Sequence, residues 1–397
     1  MDSGFLSEEQ IQQFKDLEKE TILPSKLERP PQPFGERKAG KWKANHWYCL
    51  FQYIIPLVIV EIFCDDPAKV RVNSKKTLAL TNVGALCRCT SVVCAKSITS
   101  RDPEIFRTYY KRYNDTSKKL FENLNVVPNH HYALHIPEQL RQWGALNQVA
   151  EFTGERVIGF LQKIKTNSNI KIIHRTMLRK ACALQRLNQQ YNKMAVNPDL
   201  ETIDIDQTVE NVDYGGTNTM SLGEDEYNFI LRQLRIKDRS IRHFCDLPHP
   251  PNARVFLNYA TPLKTWEWQN KEGFSQSISV VPPNNCVMYR VGGKNKFGII
   301  QRILQIGLEE KEPQILIQPF ENRYAHSSNA TDANFRSILS LLKIVLGYME
   351  DKKTIISSQM ISCLCAYRKL GDRVFGIDND GILICPLDYS SHLQSTM

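Results

Sequence analysis

Glu155 stands in the stretch AEFTGERVIGFLQKIKTN, Ala150 to Asn167, where an acid at the mouth of a helix precedes turns that alternate apolar residues with lysine. A carboxylate is the hard oxygen donor that a divalent cation such as Mg²⁺ requires. The same residue also fits a structural role. Thr153 can cap, Gly154 permits the turn into the helix, and a first-turn acid complements the macrodipole by ~0.3–1 kcal/mol. Ile158, Leu161 and Ile164 recur on one face and leave Arg156, Gln162, Lys163 and Lys165 largely elsewhere. On these residues alone, starting a helix is the simpler role for Glu155.

His131 and His135 are one helical turn apart, with His130 adjacent. Such spacing reaches a metal ion only with a third ligand, and the sequence fixes none, so structural or substrate-facing histidines are expected. Cys87, Cys89 and Cys94, and likewise His243, Cys245 and His249, lack the two clean pairs of a zinc site. The run VGGKNKFG around Gly292 and Gly293 predicts a hairpin, because the G-x-x-x-x-G-K-[ST] frame of a phosphate loop is absent. No G-x-S-x-G elbow marks a serine nucleophile.

The elements that must position these groups follow from bulk properties and periodicity. The chain has 397 residues, which exceeds the usual reach of one core and predicts more than one domain. Its net charge of +9 is uneven: residues 151–200 carry nine Lys/Arg against three Asp/Glu, and residues 201–230 carry eight acids and no base. A basic block before an acidic spacer suggests a polyanion-facing domain followed by a linker. Eleven cysteines without regular pairing point to a reducing compartment. The apolar run Trp47–Phe63 is about a turn short of a bilayer span and contains Gln52, Pro56 and Glu61, so it predicts a buried core helix and no membrane partner.

Ser7 ahead of Glu8, Glu9 and Gln10 resembles a capping box opening a helix to about Glu20, and a Pro-rich connector completes residues 1–44. Helical periodicity then recurs at about 45–63, 74–98, 103–124, 130–142, 152–165 and 171–194, which defines a helical domain over 45–195. Residues 196–229 are expected to be an acidic linker. Residues 230–397 contain β-branched runs such as CVMYRV, FGIIQRILQI and ILICPL, broken by one helix at about 334–350. They predict a separate β-rich module of SH3-like barrel type, making the chain α+β.

The segment Pro128–Asn167, PNHHYALHIPEQLRQWGALNQVAEFTGERVIGFLQKIKTN, resembles part of CACTA/En-Spm-like and fungal Plavaka-like DNA transposases, in which an HLPEQ-type helix leads to an FER-x-x-G-x-L-Q helix. His135, Ile136, Pro137, Glu138 and Gln139 match the first part. Glu155, Arg156, Gly159, Leu161 and Gln162 match the second, and Lys165, Thr166 and Asn167 its end. The upstream run from Leu23 to Ile59 and the downstream CVMYRVGGKNKFGIIQRI and AYRKLGDRVFGIDNDGILICPL are similar to flanking regions of that family.

The resemblance implies an RNase H-like transposase, in which three carboxylates hold two Mg²⁺ or Mn²⁺ ions that cut and join DNA strands. It implies that Glu155 is the last of those carboxylates and would bind metal only if partners are supplied. The family's two aspartates would precede the Pro-rich connector, about where this chain begins, and its insertion carries an acid one turn before the histidine, where His131 stands here. Asp65 and Asp66 are the nearest substitutes, but a turn before Pro67 accounts for them. The expected protein is therefore a truncated or domesticated C-terminal portion of a transposase, nuclear, self-associating or joined by a full-length transposase. It would bind DNA through Arg156, Lys163, Lys165, Lys171, Arg175, Arg179, Lys180 and Arg186. Two alternatives are part of an active nuclease completed by upstream aspartates, and a non-catalytic interaction scaffold.

Overall fold

The computed structural model describes residues 6–31, 42–64, 66–71, 74–121, 126–149, 163, 173–196, 219–250, 253–269, 275–307, 312–324, 333–378 and 381–387. The chain divides into two compact units, residues 1–145 with 217–397, and residues 146–216.

The first unit begins with α1 (Glu8–Glu20). The expected capping box is present: the Ser7 hydroxyl accepts from the Gln10 N–H at 3.2 Å, and the Gln10 side chain accepts from the Ser7 N–H at 3.1 Å. The apolar run forms one continuous helical stretch of α2 (Ala44–Cys49), a π turn (Leu50–Ile54) and α3 (Ile55–Phe63); Pro56 lies inside it beside the π turn, and the Gln52 carbonyl, four residues earlier, accepts from the Cys385 thiol at 3.4 Å. By length and composition this helix could cross a membrane, but 67% of its apolar window is buried inside the fold. Ile54, Leu57, Val58 and Val60 are all fully buried, and each contributes ~1.5–3 kcal/mol. Then come α4 (Lys75–Val93), α5 (Asp102–Leu120), α6 (Pro128–Ala133) and α7 (Ile136–Trp143).

The strands of this unit are β1 (Met220–Ser221), β2 (Arg242–His243), β3 (Val255–Phe256), β4 (Tyr259–Leu263), β5 (Thr265–Gln269), β6 (Ser275–Ser279), β7 (Cys286–Val291), β8 (Lys294–Ile306), β9 (Gln314–Asn322), β10 (Val345–Met349), β11 (Thr354–Ser357), β12 (Ile361–Lys369) and β13 (Gly381–Pro386). Nine of them form one antiparallel sheet in the order β1-β4-β8-β7-β12-β13-β10-β9-β11. An additional β8–β9 pairing, Phe297 opposite Phe320 through Leu304 opposite Gln314, closes β7, β8, β9, β10, β13 and β12 into a ring. The expected β-rich region is thus a closed six-stranded barrel with appended strands. Gly292 and Gly293, at φ 57° and 79°, make the two-residue turn between Val291 and Lys294 that the sequence predicts.

One face of the ring forms a cluster of Cys286, Met288, Phe297, Ile299, Phe320, Val345, Cys363, Cys365, Tyr367, Ile382 and Ile384. It draws on all six strands and no helix, which places it inside the barrel. The alternate residues Val287, Tyr289, Ile300, Leu346, Leu364 and Leu383 share a second cluster with Phe14, Leu57, Leu80 and Phe335 from the helices. A third cluster packs the helix Glu224–Lys237 against Phe256, Leu304, Ile306, Leu316 and Ile355.

Three expectations require correction. The β-rich part is not set apart from the helices 8–143, because one apolar core runs through both. The acidic linker does not extend to 229: Met220–Ser221 is a strand, and the last acids, Glu224, Asp225 and Glu226, form the first turn of a helix, where they complement the N-terminal dipole. The helix expected at 334–350 ends at Leu342, where Lys343 takes a left-handed conformation at φ 59° and the chain continues as β10. Helix Ala333–Leu342 ends against Arg88 of α4, whose Nε donates to the Leu341 carbonyl at 3.0 Å and whose Nη2 donates to that of Ser340. Burial lowers the pKa of Arg88, and Tyr109 beneath its guanidinium opposes that shift.

In the second unit, Leu146–Val149 is α8 and Ile173–Val196 is α9, so α10 is Glu224–Lys237 and α11 is Ala333–Leu342.

Candidate nucleic-acid interface

α9 contains five bases, Arg175, Arg179, Lys180, Arg186 and Lys193, and no acid. At about 100° per residue, Arg175, Arg179 and Arg186 lie within about 40° of one another around the axis. The row is ~16 Å long from residue 175 to residue 186 at ~1.5 Å per residue. Arg175, Arg179 and Arg186 are exposed, and among the described residues none of the three pairs with a carboxylate. Three guanidiniums on one side of a helix give a positive line suited to a polyanion. Lys180 is exposed about 140° away round the helix, off that line. Lys163 is exposed as well. Glu155, Arg156, Gly159, Lys165 and Lys171 lie outside the described residues.

The family-motif residues of α6 and α7 are in a rigid corner. The backbone stays right-handed helical through Leu134 and His135, and the Leu134 and His135 N–H groups donate to the carbonyls of His131 and Tyr132, both at 3.0 Å. The Tyr110 hydroxyl of α5 donates to the His130 carbonyl at 2.7 Å, and buried Leu140 and Pro137 seat α7. Glu138 pairs with Arg141 at 3.2 Å, and Arg141 also reaches Glu104 of α5. His135 and Glu138 are exposed and Gln139 is half-buried. His131 and His135 bring their Nε2 atoms to 3.4 Å.

The other candidates resolve into local structure. The Asp66 carboxylate accepts from the Ala68 N–H at 2.9 Å and pairs with Lys69 at 3.2 Å, so it caps the start of a single 3₁₀ turn, Pro67–Lys69, while Asp65 lies outside the described residues. The Cys245 N–H donates to His243 Nδ1 at 3.1 Å, and the His243 ring packs on Tyr227 and Phe244. Burial pushes Cys89 up to about 12 and raises Cys87 too, so both thiols hold their protons. No three His, Cys, Asp or Glu residues converge as metal ligands among the described residues.

Sequence reasoning missed a crevice of about 300 Å³ between α11 and the end of β9, floored by Ile344, Val345 and Leu346 and edged by Asn322, Tyr324, Arg336, Ser337 and Ser340. Among the described residues the buried Nε of Arg336 has no hydrogen-bond partner. The crevice lining comes from the single stretch 322–346, whose polar residues follow no recognisable motif spacing.

No family model, curated protein or solved structure matches the chain.

Proposed function

We propose that the chain is a transposase-derived protein that binds DNA in the nucleus without completing strand cleavage. The observation that carries this reading is the exposed row Arg175, Arg179 and Arg186 on an acid-free helix. Guanidiniums bind phosphate oxygens bidentately, and such contacts position a protein on DNA without reading sequence. The resemblance of Pro128–Asn167 to CACTA- and Plavaka-like transposases supports DNA as the polyanion and transposon ends as its source. Under this reading Glu155 is the family's last carboxylate, and Mg²⁺ or Mn²⁺ belongs to the intact family. One carboxylate does not hold two hard cations, so no chemical step is assigned to this chain. Self-association, or association with a full-length transposase, is part of the proposal.

The test pairs gel retardation of duplex DNA with nicking of supercoiled plasmid in Mg²⁺ or Mn²⁺. Retardation that weakens in the triple variant Arg175→Ala, Arg179→Ala, Arg186→Ala, with no nicking by the unmodified chain, is the expected result. Metal-dependent nicking that disappears in Glu155→Gln would replace this reading with that of an active nuclease.

A further inference from the structure

We infer that His131 and His135 form a two-imidazole chelate for a borderline transition-metal ion of the Zn²⁺, Ni²⁺ or Cu²⁺ class. The inference rests on the α6–α7 corner alone and is independent of DNA binding.

The geometry is that of a preformed bite. Two nitrogens each about 2.0–2.1 Å from a tetrahedral ion stand about 3.3–3.4 Å apart. The Nε2 atoms of His131 and His135 are 3.4 Å apart, with the rings at 80° and their centroids separated by 5.1 Å. At that separation a neutral pair forms at best a long hydrogen bond, whereas an ion between them takes a lone pair from each. Both side chains are exposed, so a hydrated ion reaches them without any opening of the fold. Neither makes another side-chain hydrogen bond among the described residues.

The supporting backbone is fixed. The His131 carbonyl accepts from the Leu134 N–H at 3.0 Å, and the His135 carbonyl accepts from the N–H groups of Glu138 and Gln139 at 3.1 and 3.0 Å. The hydroxyl of Tyr110 ties α6 to α5. Both histidines thus sit on helical backbone, so the entropy of assembling the pair is largely met by folding.

The donor set decides the ion. Neutral imidazoles suit Zn²⁺, Ni²⁺ and Cu²⁺, whereas Mg²⁺ and Ca²⁺ require oxygen donors. The third ligand that this spacing calls for is water, since no third protein ligand stands among the described residues, and an ion held this way exchanges with solution. Half the ligand set of a structural zinc site corresponds to a dissociation constant on the order of 1–100 µM.

The experiment is calorimetric titration of the full, untagged chain with ZnCl₂, beside His131→Ala, His135→Ala and the control His243→Ala, with circular dichroism checking that each stays folded. The expected result is one ion per chain, weakened at least roughly tenfold by either of the first two substitutions and unchanged by the control. MgCl₂ gives no competing heat at this pair. Zinc binding that survives both His131→Ala and His135→Ala, or the absence of saturable binding up to roughly 1 mM, overturns the site.

Discussion

Arg368 on β12 is 1% exposed, and its guanidinium is shared by the two halves of the first unit: Nε donates to the Leu57 carbonyl of α3 at 3.1 Å and Nη2 to Glu61 at 2.5 Å. Removing one partner of a buried ion pair leaves the other charge uncompensated, which costs more than the pair itself contributes. Glu61→Gln, which leaves the buried Arg368 guanidinium uncompensated, is therefore expected to lower unfolding free energy by about 3 kcal/mol in urea titration, and Arg368→Met by less, since the Glu61 it leaves behind retains some solvent contact. The thiols report on the same core. Burial holds Cys49, Cys89 and Cys385 up at about 12 against the ordinary 9.0, so the folded chain keeps protons that the unfolded chain releases above about pH 9. Their contribution to stability is complete below pH 9 and declines as pH rises towards 12, so the urea midpoint should fall between pH 8.5 and 10 on this account. Iodoacetamide added to the native protein should label Cys182 and Cys245 first, because these two of the eleven thiols are exposed. Rapid labelling of Cys365 in native protein would contradict the closed barrel.

Closure of the barrel depends on two close strand passages. A Cβ on Gly347 would stand 1.8 Å from the Glu321 carbonyl oxygen, and one on Gly298 would stand 2.2 Å from Ile317 Cγ2 and 2.7 Å from the Gln318 carbonyl oxygen. The obstructing oxygens are backbone atoms, so neither passage yields by a rotamer change. Gly347→Ala is expected to cost about 1–3 kcal/mol in thermal or urea unfolding, while Ala at Gly307, which meets nothing within 4 Å, stays near neutral. Equal stability of these variants would mean that β9 and β10 are not held together as described. The individual elements were largely legible in the sequence: the capping box at Ser7, the buried helix from Trp47, the Gly292–Gly293 hairpin and the runs that became β7, β8 and β13 all follow from local pattern. Their association was not. The pairing of β12 with β7, Leu364 opposite Val287, and the docking of Arg368 of β12 on Leu57 of α3 join positions far apart in the chain, which periodicity does not encode. The candidate site divides the same way. The basic row on α9 and the one-turn spacing of His131 and His135 follow from the sequence, whereas the crevice beside Arg336 exists only once α11 folds back on the end of β9.

Across the whole molecule, the apolar core that joins helices 8–93 to the barrel makes the C-terminal β-rich part dependent on them. A fragment of residues 217–397 loses the cover over Val287, Tyr289, Leu364 and Leu383, and is expected to bind hydrophobic dye and lack a cooperative melt. A sharp transition in that fragment would restore an autonomous module. The central claim is that α9 offers a line of guanidiniums to DNA phosphates, and its most direct measurement is the salt dependence of duplex DNA binding by the full chain. Each phosphate contact contributes a slope of about −0.9 in log K against log salt, so removing Arg175, Arg179 and Arg186 together should flatten the slope by up to about 2.7. A steep slope for the unmodified chain that becomes shallower by that order in the triple alanine variant is the predicted result. Identical slopes for the two proteins, or no salt-dependent binding by either, would contradict the account.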